Sequence, residues 1–388
     1  MSLLVWGVLS LLPVSTALSQ GQVADFPPET AAKVVVLMDA DTGAILLDKN
    51  GSAPFPPASL AKLMTAEIVF GALKTGELAP EAALPVSDHA WRTGGAPSRT
   101  ATMFASVRSQ IPVDALAQGL TVQAANDAAL ILAERIGGTD AGFAALMNQR
   151  ATELGMMGSR FVNSTGLPQE GQEVTAEDMA VLGRHVFQTY PDWYALYSQP
   201  DFEWNKIRQR NRNPLLGSVD GASGMVAGFS PEGGFALVGA ATRDGRTTIM
   251  AMAGVESEPL RVREAAKLFG WAQTSFERSV LFKAAVPVAE APVFGGVVQS
   301  VPLVLSEDLS ALIPIARSDL VKATVQYDAP LMAPIEKGQK LGVLNIEIAG
   351  QHSLARDLIA GADIGGGTFS SRAAGAVSEL AFGWIRSL

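Results

Sequence analysis

Ser59 and Lys62 lie three positions apart, one turn of a helix, so they can share a face. A serine hydroxyl is a weak nucleophile that needs a base beside it. A lysine can be that base if burial strips its charge. The pair follows Pro56-Pro57-Ala58, where a helix would begin, and the positive end of a helix favours negative charge developing at the serine. Spacing alone is a weak signal. A Ser-x-x-Lys match turns up about once by chance in a chain this long, although Ser59 heads the only one here. The bland alternative makes Ser59 an N-cap and Lys62 a solvated first-turn residue.

Composition narrows the chemistry to the same residue types. With no cysteine, disulfides, thiolate nucleophiles, iron–sulfur clusters and Cys-ligated zinc are excluded. His89, His185 and His352 are scattered, which argues against a histidine-rich metal site and against a Ser-His-Asp triad. No metal or cofactor is expected. Lys and Arg number 29 against 38 Asp and Glu, a net −9. Without a basic run the chain is not expected to bind nucleic acid. Its 388 residues, 48% of them apolar, allow roughly two or three domains.

The surrounding elements can be read from periodicity. VVVLMDADTGAILLDK, up to Lys49, is strand, Asp-Thr-Gly turn, strand. Leu60 to Lys74 has helical spacing, as do Val122 to Arg135, Ala141 to Leu154 and Ser257 to Ser275. FALVGAATRDGRTTIMAMAG reads as a second hairpin about Arg243-Asp244-Gly245. After about residue 276 the texture changes. Val321, Ala323, Val325 and Tyr327 alternate with polar residues, as do Leu344, Ile346 and Ile348, and no helical pattern interrupts these half-buried strands.

At the N-terminus, Leu3 to Leu12 matches the apolar core of an export signal, with Ala17 and Ser19 as small residues before a cut at Gln20. Residues 1–19 are therefore expected to be a signal peptide, with a buried strand or helix as the alternative. At the other end, Val377, Leu380, Ala381, Trp384, Ile385 and Leu388 share one side of a helix. That stripe suits an interfacial membrane helix over 371–388 or a terminal helix docked on its own domain.

PPASLAKLMTAEIV resembles the first active-site motif of the serine-type D-alanyl-D-alanine carboxypeptidases, the low-molecular-mass penicillin-binding proteins. DADTGAILLDKN, QGLTVQAANDAALILAERIGG, MNQRATELGM, FVNSTGLP, TAEDMAVLGRHV and IRQRNRNPLL follow in that family's order, and APIEKGQKLGVL looks like its C-terminal β-domain. The resemblance covers roughly residues 30 to 388. It implies an α/β (α+β) penicillin-binding, β-lactamase-like transpeptidase domain over 25–275. A small all-β, sandwich-like domain would follow over 276–368, then the amphipathic helix 371–388. It further implies a peptidoglycan pentapeptide or a β-lactam as the partner, and a periplasmic location on the outer face of the inner membrane. Ser59 would be the nucleophile, Lys62 the general base and Asn126 a partner for a substrate amide. The backbone of Gly228 and Phe229 would border the site, with the N–H groups of Ser59 and Phe229 as the oxyanion hole.

Two motifs depart from the pattern. The family's Ser-x-Asn reads Ala124-Ala125-Asn126 here, so the hydroxyl that relays a proton to the leaving amine is missing. The family's Lys-Thr-Gly, aligned through GFSPEGGFALV, reads Val226-Ala227-Gly228; a second alignment uses Val219-Asp220-Gly221 and reads Ala222-Ser223-Gly224. The literal Lys74-Thr75-Gly76 comes twelve residues after Lys62, where Gly76 fits a helix C-cap. A charge-assisted hydrogen bond contributes roughly 1.5–3 kcal/mol, so losing the lysine weakens the hold on a substrate carboxylate unless Arg208, Arg210 or Arg243 substitutes. The resemblance supports a carboxypeptidase acting through an acyl-enzyme at Ser59. The departures support a catalytically impaired relative that binds wall peptides or a partner protein.

Overall fold

The computed structural model describes residues 3–9, 27–315 and 317–367, with only the backbone of 3–9. The chain forms two compact units, one spanning Pro28–Thr274 and the other built from Ser275 onward with the N-terminal strand.

In the first unit, five antiparallel strands lie in the order Ile45–Lys49, Val34–Asp39, Arg246–Val255, Gly234–Arg243, Ala222–Ser230. Both hairpins expected from the sequence are present, the second closed through Arg246↔Arg243. Alternate residues explain the unbroken apolar runs. Val34, Val36, Met38, Val238 and Ile249 enter the helical core. Val35, Leu37, Leu237, Met250 and Met252 are just as buried outside that cluster, and Glu258–Thr274 packs on the strands Gly234–Arg243 and Arg246–Val255. A sheet covered on both faces has no polar side to show.

The helix Ala61–Thr75 runs through the core, with eleven of its residues buried. It ends on Gly76 at φ 77°, a left-handed C-cap that glycine adopts without strain. Near its middle, Glu67 Oε1 accepts from Arg150 Nε at 2.8 Å and Tyr190 OH at 3.0 Å, and lies 3.3 Å from His185 Nε2. Burial opposes ionisation of Glu67, but the bonds from His185, Arg150 and Tyr190 outweigh it and hold the carboxyl below its ordinary range. This cluster fastens the helix to Asp140–Glu153 and Ala176–Thr189.

One sequence expectation needs correction. Val122–Arg135 is not one helix: Val113–Val122 ends, Gln123–Ala125 turns, and Asn126–Gly137 begins anew. Alanine's high helix propensity hid a break at Ala124, which takes a left-handed φ of 51°.

In the second unit a seven-stranded sheet runs Leu3–Leu9, Val321–Ala329, Lys340–Ile348, Gln351–Ala360, Ser300–Val304, Ala289–Phe294, Leu331–Met332. Phe276–Phe282 pairs with Leu309–Pro314 beside it. Among the described residues its only helical element is the single 3₁₀ turn Ser318–Leu320. Leu3–Leu9, read above as part of an export signal, is an edge strand with Leu3 opposite Ala329 and Leu9 opposite Ala323. The rest of residues 1–19, and all of 371–388, lie outside the described residues.

Phe70 is fully buried on the central helix, edge-on to Tyr190 and Tyr197 and stacked on Trp193 at 6.2 Å. Phe70→Ala is expected to cost about 3–5 kcal/mol in urea unfolding of the whole chain, without moving the Ser59 turn.

Candidate active site

Ser59 sits in a 3₁₀ turn, Ala58–Leu60, that leads directly into the central helix. Ala58 takes φ 47°, a costly conformation for a residue with a side chain. Two glycines surround it. A Cβ on Gly166 would stand 1.7 Å from the Ala58 carbonyl oxygen, and one on Gly228 would stand 3.1 Å from Ser59 N. The turn is thus clamped by backbone on both sides, which fixes where the serine points. Its hydroxyl does not cap the helix.

Instead, Lys62 Nζ donates to Ser59 Oγ at 3.2 Å and to Thr165 O at 2.6 Å. Lys62 is 2% exposed, so it is no solvated first-turn residue. Burial, and next the nearby Arg212 charge, lower its pKa to about 7. Near neutral pH a large fraction of the amine is therefore free to take a proton from Ser59.

The carbonyl that holds Lys62 belongs to a loop organised by one amide. Asn163 Oδ1 accepts from Thr165 N, Thr165 Oγ1 and Gly166 N, while its Nδ2 donates to Leu167 O and Gln169 Oε1. Thr65, one turn beyond Lys62, donates to Ser164 O at 2.7 Å. Helix and loop are laced together on either side of the lysine.

Opposite, Asn126 opens its helix with its Nδ2 donating to Thr100 Oγ1 at 2.8 Å, while its buried Oδ1 has no partner among the described residues. Asp127 anchors the facing loop by accepting from Thr102 Oγ1, Met103 N and Ala105 N. These walls and the strand Ala222–Ser230 enclose a cavity of about 760 Å³, lined by Ser59, Lys62, Thr100, Asn126, Ala227, Gly228 and Phe229 among others. Ala124 and Val226 do not line it. Val226, 6% exposed, packs into the helical core. The strand beside the serine is the 226–228 stretch, so this alignment, and not Ala222-Ser223-Gly224, meets the site.

Residues 21–257 match the family described as D-alanyl-D-alanine carboxypeptidase, and residues 276–365 match the penicillin-binding protein 5 C-terminal domain. The chain belongs to the D-alanyl-D-alanine carboxypeptidase family. It is 33% identical to the carboxypeptidase DacC of Escherichia coli over 348 residues, 89% of this chain and 87% of that protein. It is 33% identical to DacA of Haemophilus influenzae over 342 residues, 87% of this chain and 86% of that protein. Among solved structures, penicillin-binding protein 5 of H. influenzae superposes with a TM-score of 0.73 at 33% identity, covering 87% of this chain and 99% of that one. The ampicillin-bound penicillin-binding protein D2 of Listeria monocytogenes gives 0.56 at 28%, covering 62% and 97%.

Within this carboxypeptidase fold the cations differ from those expected. Arg208 pairs with Asp201 at 2.5 Å, Arg243 lies 3.7 Å from Asp244 at a hairpin turn, and neither they nor Arg210 line the cavity. Arg212 and Arg261 do. Arg261 is committed: its Nη1 donates to Gly228 O and Ala236 O, each at 3.1 Å, and its Nη2 pairs with Glu258. It positions the strand beside Ser59. Arg212 makes no side-chain bond among the described residues. Its loop is rigid, because Asn211 Nδ2 donates to Tyr197 O and Gln199 O, and Asn213 Oδ1 accepts from Leu215 N. The sequence signal was present in the Asn-Arg-Asn of IRQRNRNPLL, where two amides flank one guanidinium. Thr100 left no such signal.

The lysine supplies two pH tests. Acylation of Ser59 should rise as pH climbs through about 7, following the neutral amine. A depressed folded pKa also means that the unfolded chain binds the extra proton between about pH 7 and 10.5, so stability rises across that window. Lys62→Met is therefore expected to raise the thermal midpoint most at pH 6 to 7, with the gain shrinking towards pH 10. A gain independent of pH would show that the lysine is not held against its charge.

Proposed function

We propose that the protein is a serine-type D-alanyl-D-alanine carboxypeptidase acting on peptidoglycan stem peptides, with Ser59 as nucleophile and Lys62 as general base. The contact of Lys62 Nζ with Ser59 Oγ at 3.2 Å, with the lysine buried, carries the reading. Ser59 Oγ attacks the carbonyl of the penultimate D-alanine while its proton passes to Lys62. The N–H groups of Ser59 and Phe229 stabilise the oxyanion, and Asn126 Oδ1, buried and unpaired, takes a substrate N–H. Water then hydrolyses the acyl-enzyme.

Arg212 takes the terminal carboxylate in place of a lysine at position 226. Among the described residues its guanidinium has no side-chain partner at the cavity wall, and a guanidinium matches a carboxylate two bonds at a time. A second reading, a silent relative that only binds wall peptides, is favoured by Ala124 and Val226, and one experiment separates the two. Incubation with a fluorescent penicillin is expected to give an adduct at Ser59 by mass spectrometry and none in Ser59→Ala, with D-alanine released from a pentapeptide. No adduct and no release would sink the enzyme reading. Arg212→Ala is expected to lower kcat/KM about 10–100-fold on the free acid, the range of one charge-assisted bond, and to change little on a peptide ending in an amide.

The setting we propose is periplasmic, with export directed by residues 1–19, of which Leu3–Leu9 pairs with Val321–Ala329 for as long as the segment stays on the chain, and surface attachment to the inner membrane through 371–388. No helix among the described residues is long and apolar enough to cross a membrane. An amphipathic terminal helix lying in the interface fits that fact. Deleting residues 371–388 should move the protein from the membrane to the soluble fraction. An unchanged partition would refute the attachment.

A further inference from the structure

We infer that Thr100 supplies the hydroxyl that the second motif lacks, and that it protonates the leaving amine nitrogen; this rests on the acyl-enzyme reading above. The family places a serine where this chain has Ala124, whose side chain is buried and outside the cavity. Thr100 lines the same cavity as Ser59, Lys62 and Asn126. Its Oγ1 is held from two sides, by Asn126 Nδ2 at 2.8 Å and by Ser98 Oγ at 2.7 Å. Ser98 in turn donates to Gly95 O at 2.7 Å, so its lone pairs face the threonine. Thr100 therefore donates to Ser98 Oγ in the resting site while it accepts from the asparagine amide. Its proton is transferred when a leaving nitrogen in the cavity draws it away from Ser98. The residue whose amide grips the substrate therefore also orients the proton donor.

The protons balance. On acylation the Ser59 Oγ–carbon bond forms and the Ser59 proton passes to Lys62. The carbon–nitrogen bond breaks as the Thr100 proton passes to nitrogen, and Thr100, exposed at the cavity rim, regains a proton from solvent. On hydrolysis the flow reverses. The proton of the attacking water leaves through Thr100 to solvent, and Lys62 returns its proton to Ser59 Oγ.

The test measures the rate of acylation by a fluorescent penicillin at saturation, separately from the concentration that gives half that rate. A positioned proton donor is worth roughly 10²–10⁴-fold. Thr100→Val should lower the saturating rate about 100-fold, and Thr100→Ser should stay within a few-fold of wild type. If Thr100 only props up Asn126, Thr100→Val raises the half-saturating concentration and leaves the saturating rate within a few-fold of wild type, and the inference is overturned. It is equally overturned if Thr100→Val matches wild type, or if Thr100→Ser is as slow as Thr100→Val. Wild type forming no adduct would instead overturn the acyl-enzyme reading itself, and the role of Thr100 with it. Thr100 is exposed, so the variants should fold, and Thr100→Ala serves as a second deletion of the hydroxyl.

Discussion

Keeping the Lys62 amine out of water is the constraint on which the rest of the first unit turns. An ammonium loses several kcal/mol of hydration when buried, and the common escape is to lose the proton. That escape is useful only if the neutral nitrogen remains beside the serine. The Thr165 carbonyl supplies the one strong acceptor that keeps it there, and Asn163 exists structurally to aim that carbonyl. Arg212 adds repulsion from the other side. The buried Glu67 cluster then holds the helix that carries the lysine against two neighbouring helices. Stability is given up at one end of the helix and recovered near its middle, as expected where an active site opposes its own fold.

A second constraint is steric. The turn that carries Ser59 bends through Ala58 at a positive φ, and such strain persists only where surroundings over-determine it. Gly166 does so by letting backbone approach where any side chain would collide, and Gly228 by a close fit that a Cβ would crowd. Arg261 completes the clamp by binding carbonyls on both strands of the adjacent hairpin, Gly228 and Ala236. Its charge is consumed in that task. This is why the cavity's two arginines are not equivalent, and why proximity to the site alone does not identify the group that meets a substrate.

Legibility of the fold in the sequence followed how local the signal was. Both hairpins of the first unit could be read because their turns, Asp41-Thr42-Gly43 and Arg243-Asp244-Gly245, interrupt continuous apolar runs within a few residues. Ser59 and Lys62 were legible because one helical turn joins them. The break at Ala124 was not, since two alanines with strong helix preference, Ala124 and Ala125, mask a left-handed turn beside the 100–105 loop that Asp127 anchors. The strand Val321–Ala329 shows the same limit, with Thr324 buried at a position the alternation marks as polar. Arg212 and Thr100 lie in segments whose roles are set by what they meet across the cavity.

The two lost motif residues are lost in physically different ways. At position 226 a charged side chain has become a valine that packs inward, so the substitution adds core as it removes charge. A lysine restored there would have to leave apolar packing to reach the cavity. At position 124 only a hydroxyl is gone, on a backbone still held in its left-handed turn, so the loss is one of chemistry with no change of shape. A cavity can tolerate both only if its remaining polar groups face inward without being spent on the fold. Among the described residues Asn126 Oδ1 and the Arg212 guanidinium meet that condition and Arg261 does not, while Thr100 Oγ1 borders the cavity with bonds to Asn126 and Ser98. The cavity thus retains an amide acceptor, a hydroxyl and a cation, contributed by a different set of chain positions.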